Sequence, residues 1–534
     1  MNLTALLRVV ALAGFYVNGH LVVHRPLARD FDLSIHPDFI VVALGATSVA
    51  VSISVKGRRD FTGLVTASIE GLPPGVRSSP SSPFWLAPGI GAKVTLLVGD
   101  AVPLGSSTLT IRCVRGATAH TAHVSLVVTS VDTSYEAGSM LYLESRAHGE
   151  IVRAGLESRW GGSVVELSWN GVNPVNRHDA GREVQVALYD GSAKYDGCAG
   201  CKGVFGWNPV QAGDRYSHGS PVVQHVMDGH SIYIKTQPYE WYPDDKGGGP
   251  IQPVLTDTFV EQWISTVPEH FGTFRLHYRI VHFGSDEHDN AIQEFPAVYV
   301  DLRFRRFAYY GGTAPWTDAP VTIIALPETA SASRLHMPEL WSAFVNDDDI
   351  GLTVYVPSQY PYGVVRSFAG TTGRMGSGTH YYHPLAFFSL TPNVVVEGDI
   401  YLIPGDYRSA RNVIYALRSV ISARDCFAPF GFMDTPIAGS EIRGTAEITG
   451  WALDNLAVSK VEVFVDGGLA GTAKYGLRRP DVATEYPSAP ENVGFRYGLN
   501  TTRYGNGLHV LQVRVSDNSG NVAYFPRVSL RITN

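Results

Sequence analysis

From about residue 30 to residue 130, apolar and polar residues alternate in short runs: DLSIHP, SVAVSISV, GLVTASIEGL, AKVTLLV, STLTIRC and TAHVSLVVT. Gly, Pro and Ser separate these runs roughly every 10 residues, which predicts an antiparallel sandwich. The stretch from about residue 432 onward has the same logic in SEIRGTAEITGWALD, SKVEVFVDG, LHVLQVRVSDNSGNVA and PRVSLRIT. Turn residues fall between its strands at Asp454-Asn455, Asp466-Gly467-Gly468, Asn506-Gly507 and Asp517-Asn518-Ser519-Gly520. The intervening 135–425 is too long for one small sandwich, and SVVELSWNG, EVQVALYDG, SIYIKT, TFVEQWIST, FRLHYRIVHFG and IGLTVYVP read as strands. Helical spacing occurs only over 408–422, through Val413, Ala416, Leu417 and Val420. The fold class expected is all-β, a large antiparallel β-sandwich flanked by two small ones.

The 534 residues, 45% hydrophobic and 17% charged, suffice for about three domains, each burying a core. Their expected bounds are 29–131, 135–425 and 430–534. Residues 1–28 are a candidate signal peptide or N-terminal anchor, although Arg8 interrupts the apolar run, no basic residue precedes it and no A-x-A site follows. Later apolar runs, 39–44 and 124–128, fall short of the ~20 residues a bilayer span needs, so no integral membrane domain is expected. The net charge of −7 comes with no Lys/Arg block, which argues against a nucleic-acid partner. No dinucleotide, P-loop, zincin or serine-hydrolase string is present. Four cysteines cannot hold a chain of this size together. The CAGC at Cys198 to Cys201 reads as a loop-locking disulfide or a pair of free thiols, since a zinc site would need two more matching ligands. Cys113 reads as a buried filler. No metal and no cofactor are expected.

Three resemblances add to this reading. DFDLSIHPDFIVVALG, FTGLVTASIEGLPPGV and GSSTLTIRC resemble the bacterial Ig-like modules of secreted and cell-surface proteins. GWALDN, VFVDG and SDNSGNVA resemble another bacterial Ig-like family, found at the ends of extracellular enzymes and adhesins. The central ESRWGGSVVELSWNGVNPVNRHDAGREVQVALYDG, with WSAFVNDDDIGLTVYVP and HYYHPLAFFSL, resembles a galactose-mutarotase-like supersandwich. These resemblances imply export, and a carbohydrate-active central domain with no transferable catalytic motif.

A sugar site needs flat apolar faces for C–H surfaces and hydrogen-bonding groups for hydroxyls. FGWNPVQAGDRYSHGS supplies Trp207, Asn208, Gln211, Asp214 and His218, and TQPYEWYPDDKGGGP supplies Gln237, Glu240, Trp241, Tyr242, Asp244 and Asp245. In GREVQVALYDG, alternation puts Val184, Val186 and Leu188 on one face and Glu183, Gln185 and Tyr189 on the other, behind Arg182, a candidate carboxylate clamp. In DTFVEQWIST, Glu261 stands between Phe259 and Trp263, where desolvation would suit a general acid. His282 shares the face of Leu276, Tyr278 and Ile280, whereas His288 sits in the acidic loop SDEHDN and reads as part of a solvated turn, with metal binding as the alternative. Glu294 is the leading acid/base candidate. GTHYYHPLAFFSL adds Tyr382 and His383, suited to proton abstraction alpha to a uronate carboxyl.

The expected function is that of an exported protein that cleaves a polysaccharide. Two facing carboxylates, drawn from Glu240, Glu261 and Glu294, would make a glycoside hydrolase. His383 and Tyr382 beside an arginine would make a polysaccharide lyase. The alternative is a non-catalytic glycan-binding or adhesive surface protein, which needs neither arrangement.

Overall fold

The computed structural model describes residues 30–45, 49–58, 61–178, 181–191, 207–243, 252–370, 378–421, 428–486 and 488–534, with the backbone of the short strands Phe15–Val17 and His20–Val22. The chain forms two compact units, Met1–Thr129 and Ser130–Asn534. It is all-β, and no helix among the described residues is long and apolar enough to cross a membrane.

In the first unit a sheet in the order Phe39–Ala43, Thr118–Thr129, Gly105–Arg115, Val65–Glu70 and Phe84–Leu86 faces a second in the order Phe31–His36, Val49–Gly57, Ala92–Val98 and Val76–Ser79. Alternate residues are buried, Val51, Ile53 and Val55 from one sheet and Leu109, Ile111 and Cys113 from the other. Burial pushes the Cys113 thiol up to about 11, consistent with an inert filler.

The second unit is built on two large antiparallel sheets. The first runs Val131–Ala137, Met140–Ala147, Glu150–Glu157, Ser163–Trp169, Val184–Ala187, His288–Val300, Thr379–Pro384, Tyr362–Phe368 and Ser331–His336, with three short strands off this path. The second runs Val222–Met227, Ser231–Thr236, Thr258–Thr266, Phe274–His282, Val395–Asp406, Ile350–Tyr355, Trp341–Val345, Arg306–Tyr309 and Thr322–Ala325. One hydrophobic cluster joins them, with Leu141, Val152, Val184 and Val298 on one side and Ile234, Leu276, Ile280 and Leu402 on the other. Each such side chain contributes about 1.5–3 kcal/mol on burial. Val184, Val186 and Leu188 enter this core as their alternation predicts, and His282 is buried on the face of Leu276, Tyr278 and Ile280.

The helix expected over 408–422 forms at Tyr407–Val420, with Asp406 as N-cap accepting from the Ser409 amide at 2.8 Å. Its buried face is rotated from the one the spacing suggests: Tyr407, Ala410, Arg411, Ile414 and Leu417 turn inward while Val420 is exposed. The cause is a polar anchor. Arg411 makes a two-point contact with the buried Glu339 carboxylate, Nε at 3.0 Å and Nη2 at 2.8 Å. The helix thereby covers the outer side of the second sheet at Trp341, Ala343 and Tyr401.

The C-terminal sandwich has its own core, including Ile448, Val463, Phe495, Val513 and Phe525. Asp466 and Gly467 both take positive φ, 50° and 77°, closing a tight hairpin between Val465 and Gly468. Asp517 closes a turn on its own backbone, accepting from the amides of Ser519 and Asn521 at 2.8 Å each. Aromatic contacts bind this sandwich to the larger one: Phe430 stacks on Phe387 at 4.0 Å, and Tyr486 meets the edge of Tyr362 at 5.9 Å.

Candidate functional site

The outer face of the first large sheet, away from the shared core, carries a close group of titratable side chains. Strand pairing sets Tyr299 opposite Tyr381 and Tyr381 opposite Arg366, a row across three strands. His383, two residues beyond Tyr381, shares its face, and the rings lie 5.3 Å apart. The Tyr299 and Tyr381 rings are 4.5 Å apart, and Arg182 lies over Phe368 at 5.6 Å.

Glu294 joins this row through a β-bulge. Counting back from the outward Tyr299, strict alternation would turn Glu294 into the core. Gln185 pairs with Ala297 and Ala187 with Glu294, so three residues oppose two, and the extra residue reverses the parity. Phe295 consequently enters the core and Glu294 faces outward. There it accepts hydrogen bonds from the hydroxyls of Tyr381 and Tyr189.

Electrostatics follow from this crowding. Burial raises the Glu294 carboxyl above its usual range, while the two tyrosines and Arg366 pull it partly back. Tyr189, Tyr299 and Tyr381 are pushed well above the ordinary phenol value, first by burial and then by the Glu294 charge. Burial lowers His383 to about 4. Its Nδ1 lies 3.0 Å from the Pro384 carbonyl, which only accepts, so the neutral ring carries its lone pair on Nε2. Tyr381 and His383 form a buried floor, whereas Tyr189, Glu294, Tyr299 and Arg182 are half-buried and Arg366 is exposed.

His380, on the opposite face, is also lowered to about 4 by burial. Both histidines stay neutral in the folded chain at pH 5, where the unfolded chain binds protons near ~6.5. Stability is therefore lost as pH falls from about 6.5 toward 4, on the order of 3 kcal/mol for each buried ring, while the raised Glu294 opposes this trend. Thermal unfolding between pH 7 and 4 should show a falling Tm, with a shallower fall in His380→Asn. A flat profile in the unaltered protein would contradict the assignment.

The structure brings together Glu294, His383 and Arg182 among the residues singled out in the sequence. Tyr382 points the other way, into the core, with its hydroxyl 3.3 Å from Gln359, because neighbours on a strand face opposite sides. Glu261 lies on the outer face of the second large sheet, between Lys235 at 3.3 Å and Arg279 at 3.5 Å. Trp263 shares that face, its ring 4.7 Å from Tyr233. Glu240 accepts from the Asn208 amide at 2.8 Å.

Several polar candidates hold their own surroundings in place. Asn208 donates to the Leu188 carbonyl at 2.7 Å, and buried Gln211 donates to Gln262 at 2.9 Å. Buried Asp214 closes a turn with His218, and Gln237 donates to the Thr256 carbonyl at 2.8 Å. Trp241 packs where a side chain at Gly181 would sit, next to Arg182, and Arg215 lies 4.9 Å over Tyr242. Trp207 stacks on His288 at 3.6 Å, so His288 is buried rather than in a solvated turn. Cys198, Cys201, Asp244, Asp245 and the candidate leader apart from the backbone of its two short strands lie outside the described residues.

Tyr189, Tyr299, Tyr381 and Arg366 complete the group. Strand parity from His383 points to Tyr381, and parity from Glu183 and Gln185 points to Tyr189. No local signal points to Arg366 or Tyr299, which arrive from separate strands.

The family model for a bacterial Ig domain matches residues 429–513. No curated protein matches the sequence. Solved structures similar to parts of it include an endo-β-1,4-mannanase from Thermotoga petrophila (16% identity, 24% of this chain and 24% of that chain, TM-score 0.15). A polysaccharide lyase matches at 10% identity over 75% of this chain and 47% of its own, with a TM-score of 0.25. Fibronectin(III)-like modules from Clostridium thermocellum match at 12% identity over 48% of this chain and 84% of theirs, with a TM-score of 0.14. The chain thus spans about a quarter of the mannanase and about half of the lyase. At these TM-scores none of the three bears on function.

Proposed function

We propose that the protein is an exported carbohydrate-active enzyme, a polysaccharide lyase acting on uronate-containing chains at the outer face of the first large sheet. In this reading residues 135–425 form a supersandwich of the galactose-mutarotase-like kind, and the sandwiches at 29–131 and 430–534 are accessory modules. The bacterial Ig domain matched at 429–513 is compatible with an extracellular setting.

The observation that carries the reading is the Tyr381 hydroxyl on the Glu294 carboxyl, beside His383 and in register with Arg366. Elimination requires a base for the C5 proton, a positive group on the uronate carboxylate and an acid for the departing O4. Arg366 and Arg182 supply the positive charge. A carboxylate bound beside His383 raises the basicity of its Nε2, which takes the C5 proton. The C4–O4 bond breaks as the C4–C5 double bond forms, and Tyr381 gives its proton to O4. A phenol of raised pKa keeps that proton until the strongly basic alkoxide develops. Hydrolysis has less support, because Glu261 and Glu294 lie on outer faces of different sheets.

The test incubates the purified protein with a panel of neutral and acidic polysaccharides, reading unsaturated uronate absorbance and new reducing ends together. Both signals from acidic polymers alone are expected. Reducing ends without the absorbance would indicate a hydrolase, retained glycan without product a binding module, and neither binding nor product would end the carbohydrate reading.

A further inference from the structure

Six residues up the strand from Glu294, roughly 20 Å away at the strand rise, a second group of side chains converges with no part in the proposed elimination. His282 ends the strand Phe274–His282, His288 begins His288–Val300, and Asp286 lies in the link between them. Asp257 directly precedes Thr258, which pairs with His282. One donor atom from each of Asp257, His282, Asp286 and His288 lies within 4.8 Å of all the others.

Around His282 the cluster holds only long hydrogen bonds, Nε2 to the Asp286 carbonyl at 3.3 Å and Nδ1 to the Thr258 hydroxyl at 3.4 Å. Asp257 is 3.5 Å from His282 Nδ1, and Asp286 is 3.8 Å from His282 Nε2 and 3.7 Å from His288 Nε2. These separations exceed hydrogen bonds but suit groups spanning a cation. His288 is 4% exposed and its Nε2 has no hydrogen-bond partner, which is also true of Asp257 Oδ1. On the far side of the ring, His288 Nδ1 faces Asp190 Oδ2 at 3.3 Å, leaving the Nε2 lone pair directed at the cluster. Trp207 fixes the ring plane by stacking. Gly284 leaves room for the group, because a Cβ there would come within 1.8 Å of Asp257 Oδ2 and displace that carboxylate.

From this geometry we infer that Asp257, His282, Asp286 and His288 bind a divalent zinc-type ion. Two imidazoles with two carboxylates are a borderline donor set, unlike the all-oxygen shells of calcium or magnesium. Four protein ligands fill a tetrahedral shell, so the ion is structural. At about 2.0–2.1 Å from each donor it would draw the exposed Asp286 inward. Asp190 adjoins Tyr189, so the ion would brace the segment that delivers Tyr189 to Glu294. The inference stands whether or not the protein cleaves glycans.

The test uses the full chain, stripped by chelator and reloaded with Zn²⁺ alone, measuring bound metal by elemental mass spectrometry and Tm by calorimetry. One equivalent per chain is expected, with a Tm rise of about 5 °C at saturating metal. Asp286→Asn, at an exposed side chain, keeps the apo-protein Tm and loses at least about 10-fold in affinity, and His288→Ala abolishes binding. The Cys198→Ser/Cys201→Ser variant keeps the metal, and Co²⁺ loading gives tetrahedral visible bands without thiolate charge transfer. Substoichiometric metal with no Tm change, unaltered affinity in Asp286→Asn, or loss of metal in the cysteine variant would overturn it.

Discussion

Tyr381→Phe is expected to lower kcat on a uronate-containing polysaccharide by about 10²–10⁴-fold, the usual loss when a positioned proton donor is removed. The ring that packs against Tyr299 and His383 remains, so the Tm should move little. Without the hydroxyl, Glu294 loses a donor that holds its carboxyl down, so its pKa should rise further. The adjacent Tyr382→Phe is the matched control. Its hydroxyl lies in the core against Gln359, and losing it costs about 1 kcal/mol of stability without touching kcat. Equal effects of the two substitutions on kcat would mean that face, and hence the proposed chemistry, is misassigned.

The largest expected effect on stability is at Arg411→Met, about 3–5 kcal/mol, because it leaves the Glu339 charge buried and unpaired. Glu339 is 0% exposed and accepts from Trp341 Nε1 at 2.8 Å, the Trp316 amide at 2.9 Å and Tyr415 Oη at 2.8 Å, as well as from Arg411. These bonds tie the helix to the second large sheet, and Arg411 holds the Glu339 carboxyl below its usual range. Arg408→Met, at a side chain that is 60% exposed, should cost about 1 kcal/mol or less. Urea unfolding of the two variants gives the comparison, and a loss at position 411 no greater than that at 408 would contradict the reading of Glu339 as a buried anchor.

Period-2 alternation made the β architecture and most strand faces legible, because one-sided burial imposes that period. The Val184–Ala187 strand shows both the reach and the limit of this. Its apolar face is readable, but Glu183 and Gln185, opposite, are buried, Glu183 accepting from the Gly181 amide at 3.0 Å and Gln185 from the Ala212 amide at 2.9 Å. Tyr382 and His383 are neighbours on one strand, so they cannot share a face, and parity alone makes Tyr381 the partner of His383. Glu294 escapes such counting, since the bulge that turns it outward depends on pairing with a strand about a hundred residues earlier. The register of Arg366 with Tyr381 is likewise a product of the assembled sheet. The burial of His288 escapes the sequence for a similar reason: Asp190 and Trp207, which cover it, come from distant parts of the chain.

The most direct test of the central claim is the mass of oligosaccharides released from a uronate-containing polysaccharide. Elimination through Tyr381 and His383 predicts new non-reducing ends one water lighter than the saturated sugar, formed about 10²–10⁴-fold more slowly when Tyr381→Phe is used. Saturated ends, or release undiminished in that variant, would contradict it.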